Sequence, residues 1–217
     1  MLKNKMDMSE RFWNKLSKNY DKKAKDKAYD LIIAKSRKYL KKDHTIMDFG
    51  CATGLYSIAF ANRVKTIHAF DTAAKMIQVA KRESKCMGTE NIIFYQTNPF
   101  DKRFGKNSYQ TVLALNILLY FKDTEKVLRR TGELLETGGV MITSTACLKE
   151  KRTFAAWISQ GIIFALKTLK ILPYLKFFSI TELEGEIESC GFKIIETAIL
   201  MDTPATEYYI VAQKIGD

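Results

Sequence analysis

Thr45-Ile46-Met47-Asp48-Phe49-Gly50-Cys51-Ala52-Thr53-Gly54 is the stretch that decides the fold of this 217-residue chain. Its first five residues read as a short apolar strand, Thr45 to Phe49, stopped by a turn between two glycines, which adopt backbone angles closed to other residues. A helical pattern from Leu55 to Arg63 follows at once. Asp71 stands 21 positions beyond Gly50, just past the next strand, Thr66 to Phe70. Strand, glycine turn, helix and distal acid describe the opening of a nucleotide-binding βαβ unit, in which the acid accepts hydrogen bonds from ribose hydroxyls. A plain strand–turn–helix would need the glycines but not the acid.

Outward from this unit the alternation continues. A helix pattern spans Thr72 to Met87, and strands span Asn91 to Gln96 and Tyr109 to Leu115, the latter nearly all apolar as expected when both sheet faces are covered. Residues 123–135 predict a helix, Gly138-Gly139 a turn and Val140 to Ser144 a strand. Thr181 to Ser189 reads as a short helix. Phe192 to Leu200 and Glu207 to Gln213, separated by few residues, read as an antiparallel edge pair. The pattern predicts an α/β fold with a doubly wound, mostly parallel seven-stranded sheet whose final strand is antiparallel. It divides one domain into N-terminal helices (1–42), a ligand-binding core (43–144), a helical cap inserted before the last helix (145–180), and the closing helix with its edge strands (181–217).

Composition narrows the function. Net charge is +11, with +9 over residues 1–42, +5 over 149–176 and −6 over 177–217. Such asymmetry can attract a polyanion or an anionic membrane. The lysines lack the interleaved aromatics of RNA-binding segments, so a solvated helix face accounts for them better and nucleic acid is not the expected partner. The four cysteines are far apart and the histidines number only two, a pattern that argues for reduced thiols and no metal site. The charged N-terminus has no apolar signal region, and a cytoplasmic location is expected.

The glycine loop is not the G-x-G-x-x-G of dinucleotide sites. Asp48 beside it would oppose a phosphate but suits a ligand with an ammonium group. The stretch resembles motif I of the class I, Rossmann-like S-adenosylmethionine-dependent methyltransferases of small-molecule type, and Asp71 resembles their ribose-binding acid. Asn98-Pro99-Phe100-Asp101, Asn107-Ser108-Tyr109-Gln110, Glu133 to Val140 and Glu188 to Phe192 resemble further family segments. The pattern covers about residues 10–215. Ala52, Asn98 and Gln110 depart from the usual Gly, Asp and Asp.

The resemblance implies S-adenosyl-L-methionine as cofactor and S-adenosyl-L-homocysteine as product. It implies that Asp48, Gly50, Cys51, Ala52 and Gly54 surround the methionine part, and that Asp71 holds the ribose with Thr72 and Met76 nearby. Asn98 and Pro99 would edge the adenine, and Asn116 would sit near the methionine carboxylate or the methyl donor. Tyr20 matches a tyrosine that closes over the cofactor. Met76 fits helix core better than an adenine wall, Tyr20 fits a buried helix position at least as well, and Cys51 fits as a merely small residue. Methyl transfer from a sulfonium rests mainly on proximity and orientation. The sequence names no catalytic residue: His44 and His68 are misplaced for the carboxyl ends of the strands, and Tyr120 and Asp123 are only better positioned.

The acceptor expected is a small, apolar or aromatic molecule facing 145–180. The apolar, lysine-bearing segment 153–178 reads as a lid, a peripheral membrane contact, or a packing face in a homodimer. An RNA methyltransferase using the basic N-terminal third and a non-catalytic cofactor-binding module are the alternatives.

Overall fold

Seven strands pair into one sheet in the structure, a computed structural model that describes residues 8–150, 158, 161–162, 165, 172–202 and 205–216. They are β1 (Thr45–Phe49), β2 (Thr66–Asp71), β3 (Ile92–Gln96), β4 (Tyr109–Leu115), β5 (Leu135–Cys147), β6 (Phe192–Met201) and β7 (Thr206–Lys214). Their spatial order is β3-β2-β1-β4-β5-β7-β6. The first five are parallel to one another, and β7 runs antiparallel to both β5 and β6. The expected doubly wound sheet with an antiparallel final strand is present. Strand order reverses between β1 and β4, which opens a crevice outside their carboxyl ends.

Seven helices accompany the strands among the described residues: α1 (Met8–Leu16), α2 (Tyr20–Ala24), α3 (Lys27–Ser36), α4 (Leu55–Phe60), α5 (Ala74–Cys86), α6 (Thr124–Leu134) and α7 (Ile180–Ser189). The period of two along each strand sorts side chains onto two faces. Val112 and Ala114 of β4 join Val127, Leu128, Leu183 and Ile187 of α6 and α7 in one core. Leu113 and Leu115 join Ile32, Ile33, Phe60 and Ile77 of α3, α4 and α5 in the other. Both faces are therefore covered, as the apolar run of β4 requires.

The structure adds to or departs from the sequence pattern in three places. Among the expected N-terminal helices over 1–42, Asp26 leaves helical geometry and its side chain accepts from the Tyr29 N–H at 3.0 Å, starting α3 anew. β5 begins at Leu135 and carries Gly138-Gly139 within its span, where a turn was expected; its register against β4 shifts between Tyr109 and Thr111. Within the expected helical cap, residues 173–179 have no regular secondary structure. The cap residues Phe154, Ala155, Ala156, Trp157, Ile163, Phe164, Leu166, Lys167, Leu169 and Lys170, with Thr203 and Pro204, lie outside the described residues. No described helix is long and apolar enough to cross a membrane.

Candidate active site

The loop after β1 is shaped by its backbone. Gly50 has φ +64, and a Cβ there would lie 2.7 Å from Ile117 Cδ1, so a larger residue meets both strain and a packed side chain. The Cys51 N–H donates to the Phe70 carbonyl at 2.9 Å, tying the loop to β2, and the Gly54 N–H closes the turn onto the Cys51 carbonyl at 2.8 Å. Ala52 takes φ 47, the left-handed region where a glycine would be at ease. Its N–H donates to Asp71 Oδ2 at 3.1 Å, while the Ala73 N–H donates to Asp71 Oδ1 at 2.8 Å. Asp71 is thus fixed between the glycine loop and the start of α5.

Two adjoining cavities occupy the crevice. One, of about 460 Å³, is lined by Phe49, Gly50, Asp71, Thr72, Met76, Asn98, Pro99, Ile117 and Phe121, among others. The second, of about 480 Å³, is lined by Asp48, Cys51, Leu55, Tyr56, Leu119, Ala146, Met201 and Glu207, among others. Trp13, Tyr20, Gly50, Ala52, Leu115, Asn116 and Tyr120 border both. Volumes of about 300–1,000 Å³ suit small ligands. Trp13 packs edge-on against Tyr120 at 5.2 Å and Tyr20 at 6.3 Å, so the N-terminal helices roof the junction. The strap is anchored by Thr53 Oγ1 donating to Asp21 at 2.5 Å and by the Lys75 N–H donating to Asn14 Oδ1 at 2.8 Å.

The electrostatics are acidic. Asp48 is buried and accepts from Ser57 Oγ at 2.5 Å; burial, and then the Asp71 charge, push its carboxyl up to about 7. Burial likewise raises Asp71 and Glu207 above the ordinary carboxylate range. Among the described residues no ion pair compensates these three carboxylates. Burial, then the neighbouring Glu207, raise the Tyr120 hydroxyl to about 12, so it stays protonated near neutrality. All four cysteines are free thiols, with Cys51 and Cys147 buried.

Every residue marked by the sequence borders these cavities except Gly54, whose place is packing. It adopts φ +77 ahead of α4, and a Cβ would press on Phe94 at 3.1 Å and Ala80 at 3.2 Å. Asp123 caps α6, accepting from the Lys126 N–H at 2.9 Å, and Tyr120 alone of that pair reaches the site. His68 packs beside Tyr109, its Nδ1 2.8 Å from the phenol oxygen. Gln110, the substitution for Asp, accepts from the Thr45 N–H at 2.7 Å and donates to Glu136, away from the crevice. Asn98 Oδ1 accepts from the Phe100 N–H at 2.9 Å, forming its own turn at the cavity edge. Trp13, Tyr56, Met201 and Glu207 were not marked. Trp13 is distant in sequence, and Glu207 and Met201 reach the site only through the order in which β7 and β6 enter the sheet.

The donor set fits a ligand with a ribose, a flat base and a positively charged amino-acid end. Asp71 offers a fixed carboxylate, Phe49, Met76, Ile117 and Phe121 offer apolar walls, and the uncompensated Asp48 offers a counter-charge. The fold with a glycine turn and an acid at the carboxyl ends of its strands is that of a Rossmann-like nucleotide-binding protein. A family profile described as "Methyltransferase domain" matches residues 40–189. The chain belongs to that family, within the class I S-adenosylmethionine-dependent methyltransferases.

A ubiquinone biosynthesis O-methyltransferase of Azorhizobium caulinodans is 29% identical over 164 residues, 73% of this chain and 62% of that protein, so the match spans less than two thirds of that relative. Among solved structures, a Haloferax volcanii methyltransferase in complex with the Trm112 methyltransferase activator superposes with a TM-score of 0.76 at 14% identity, covering 96% of this chain and 98% of that one. A geranyl diphosphate methyltransferase in complex with SAM gives 0.68 at 14% identity over 84% of each chain. These structural likenesses speak to the fold.

Proposed function

We propose that the protein moves a methyl group from S-adenosylmethionine to an oxygen of a small, apolar, planar acceptor. The observation that carries this reading is the adjacency of the two cavities, which share seven lining residues. A ligand with its ribose at Asp71 points its amino-acid end toward Asp48 and Asn116, where the second cavity begins. The bound cofactor supplies a methyl group activated by a positive sulfur. Asp71 would hold the ribose, with Asn98, Pro99, Thr72 and Met76 about the base. Asp48, Gly50, Cys51, Ala52 and Asn116 would hold the methionine end, and Tyr20 would close over it. Leu55, Tyr56, Leu119, Tyr120 and Met201 offer the second cavity an apolar and aromatic wall suited to a ring. The O-methyltransferase relative supports an oxygen as the acceptor atom.

The N-terminal helices, 1–42, and the segment 145–180 form the acceptor side in this reading, and the free thiols suit the reducing cytoplasm. The outward Ile158 and Ile162, 45% and 57% exposed, favour 153–178 as a surface that meets an anionic membrane or a second copy. Salt-sensitive co-sedimentation with anionic vesicles supports the membrane; a concentration-dependent dimer without vesicle binding supports the second copy. For the reaction, labelled methyl should pass to phenolic small molecules and not to transfer RNA. Labelling of RNA alone would overturn the proposal, and cofactor binding without transfer to any acceptor would make the protein a binding module.

A further inference from the structure

We propose that Glu207 is a catalytic residue that takes the proton from the attacking hydroxyl of a phenol-type acceptor held in the second cavity. The inference rests on the methyltransferase reading above and assigns a group that its sequence pattern does not contain. Glu207 lies at the second residue of β7, paired with Ala146 of β5, and the antiparallel entry of β7 brings it to the carboxyl end of the parallel strands. It is 8% exposed, and what it presents faces the second cavity.

Its carboxylate is held in place. Ser144 Oγ donates to Glu207 Oε1, and the Asn116 side chain lies beside the carboxylate. Asn116 has φ 53, unusual for a residue other than glycine, and its N–H donates to the Ser144 carbonyl at 2.7 Å. Asn116 borders both cavities, so the group it touches stands beside their junction. Such a fixed carboxylate at the meeting point of two ligands is placed for proton transfer.

The other titratable groups of that cavity are less suited. Asp48 lies under the glycine loop, held by Ser57 and opposite the amino-acid end of the cofactor. Tyr56, from α4, and Tyr120, after β4, have hydroxyls raised by burial and remain proton donors. Asp26, at the start of α3, lines the cavity and its charge opposes that of Glu207, as does the charge of Cys147 on β5 when ionised. Lys15 and Lys23 line the same cavity from α1 and α2. Burial makes the Glu207 carboxylate a stronger base than one in water.

The step balances within the two ligands and this side chain. The acceptor oxygen forms a bond to the methyl carbon while the carbon–sulfur bond breaks and its electron pair returns to sulfur. The hydroxyl proton passes to Glu207, which releases it to water once the methylated product has left. An acceptor without an acidic hydrogen gains nothing from Glu207.

Calorimetry on the full chain saturated with S-adenosylhomocysteine tests this, with 4-propylphenol and its methyl ether, 4-propylanisole, as probes. The wild type should prefer the phenol by about tenfold or more, because a hydroxyl donating to a carboxylate is among the stronger hydrogen bonds. Glu207→Gln should keep its affinity for S-adenosylhomocysteine and lose most of that preference. Single-turnover methylation of the phenol should fall as pH drops through the raised carboxyl range in the wild type, and Glu207→Gln should lack that limb. If Glu207→Gln does not fold, Glu207→Asp should bind S-adenosylhomocysteine normally and transfer methyl about tenfold more slowly. Equal preference in the wild type and Glu207→Gln, with S-adenosylhomocysteine bound by both, would overturn the role of Glu207 alone. Failure of the wild type to bind S-adenosylhomocysteine would overturn the underlying reading and the role together.

Discussion

Gly50 shows how much of the site is decided by one missing side chain. Its φ of +64 and the 2.7 Å approach of Ile117 leave no room for a methyl group. Gly50→Ala should therefore cost about 1–3 kcal/mol of stability and displace Ile117 from the wall of the Asp71 cavity. Thermal unfolding with and without S-adenosylhomocysteine checks this: a lower melting temperature and a lost ligand-induced rise are expected, and a variant with the wild-type rise would contradict it. The glycine was legible in the sequence because a strand-to-helix turn advertises it. So was Asp71, through its distance from that turn. Glu207 and Trp13 were not legible, since local spacing carries no information about which distant elements meet at a crevice. Gly54 has a packing reason that its spacing does not reveal: its positive φ belongs to the loop, and its close neighbours are Phe94 and Ala80 in the core.

Elements were read well where a capping or periodic signal is strong and poorly where tertiary contacts override it. Helix α7 begins with a capping box: the Glu182 N–H donates to Ser179 Oγ at 3.2 Å, and the Ser179 N–H donates to Glu182 Oε2 at 3.0 Å. Ser179→Ala should lower stability by about 1 kcal/mol, a fall of about 2–4 °C in melting temperature for a chain of this size. Cofactor affinity should stay unchanged, because α7 packs on the sheet face and borders neither cavity. A loss of cofactor binding in Ser179→Ala would show that the cap and the site are coupled. The N-terminal helices illustrate the opposite case. Their apolar spacing does not place the boundaries between them: Asp26 starts a new helix, and α1 and α2 line the crevice while α3 packs into the core. The extension of β5 through Gly138-Gly139 is likewise imposed by its neighbours, with Gln213 of β7 donating to the Gly138 carbonyl at 3.0 Å.

At the scale of the whole molecule, a basic chain has gathered three carboxylates at one crevice, those of Asp48 and Glu207 buried and that of Asp71 partly so. Basic residues crowd the N-terminal helices and the insertion, while Asp48, Asp71 and Glu207 sit at the crevice. Asp48 is raised to about 7 in the folded protein against an ordinary value near 4, so the free fold binds a proton that the unfolded chain has released. That contribution is fully present below about pH 4 and is lost as pH rises through about 7. Asp48→Asn should consequently match or trail the wild type at pH 5 and become the more stable of the two by pH 8, when both lack ligand. Denaturant unfolding across that range measures the difference; a constant difference would contradict the buried, raised carboxyl. If the proposed cofactor binds with its cationic end at Asp48, it would favour the ionised form and reverse that preference.

The central claim, that the cleft after β1 is an S-adenosylmethionine site whose ribose is held by Asp71, is tested most directly by calorimetric titration. S-adenosylmethionine and S-adenosylhomocysteine would each be titrated into the wild type and Asp71→Ala, with NAD as the comparison ligand. Binding in the micromolar range at one site per chain, abolished by Asp71→Ala and absent for NAD, is the predicted result. No binding of either sulfur ligand, or a preference for NAD, would contradict the account.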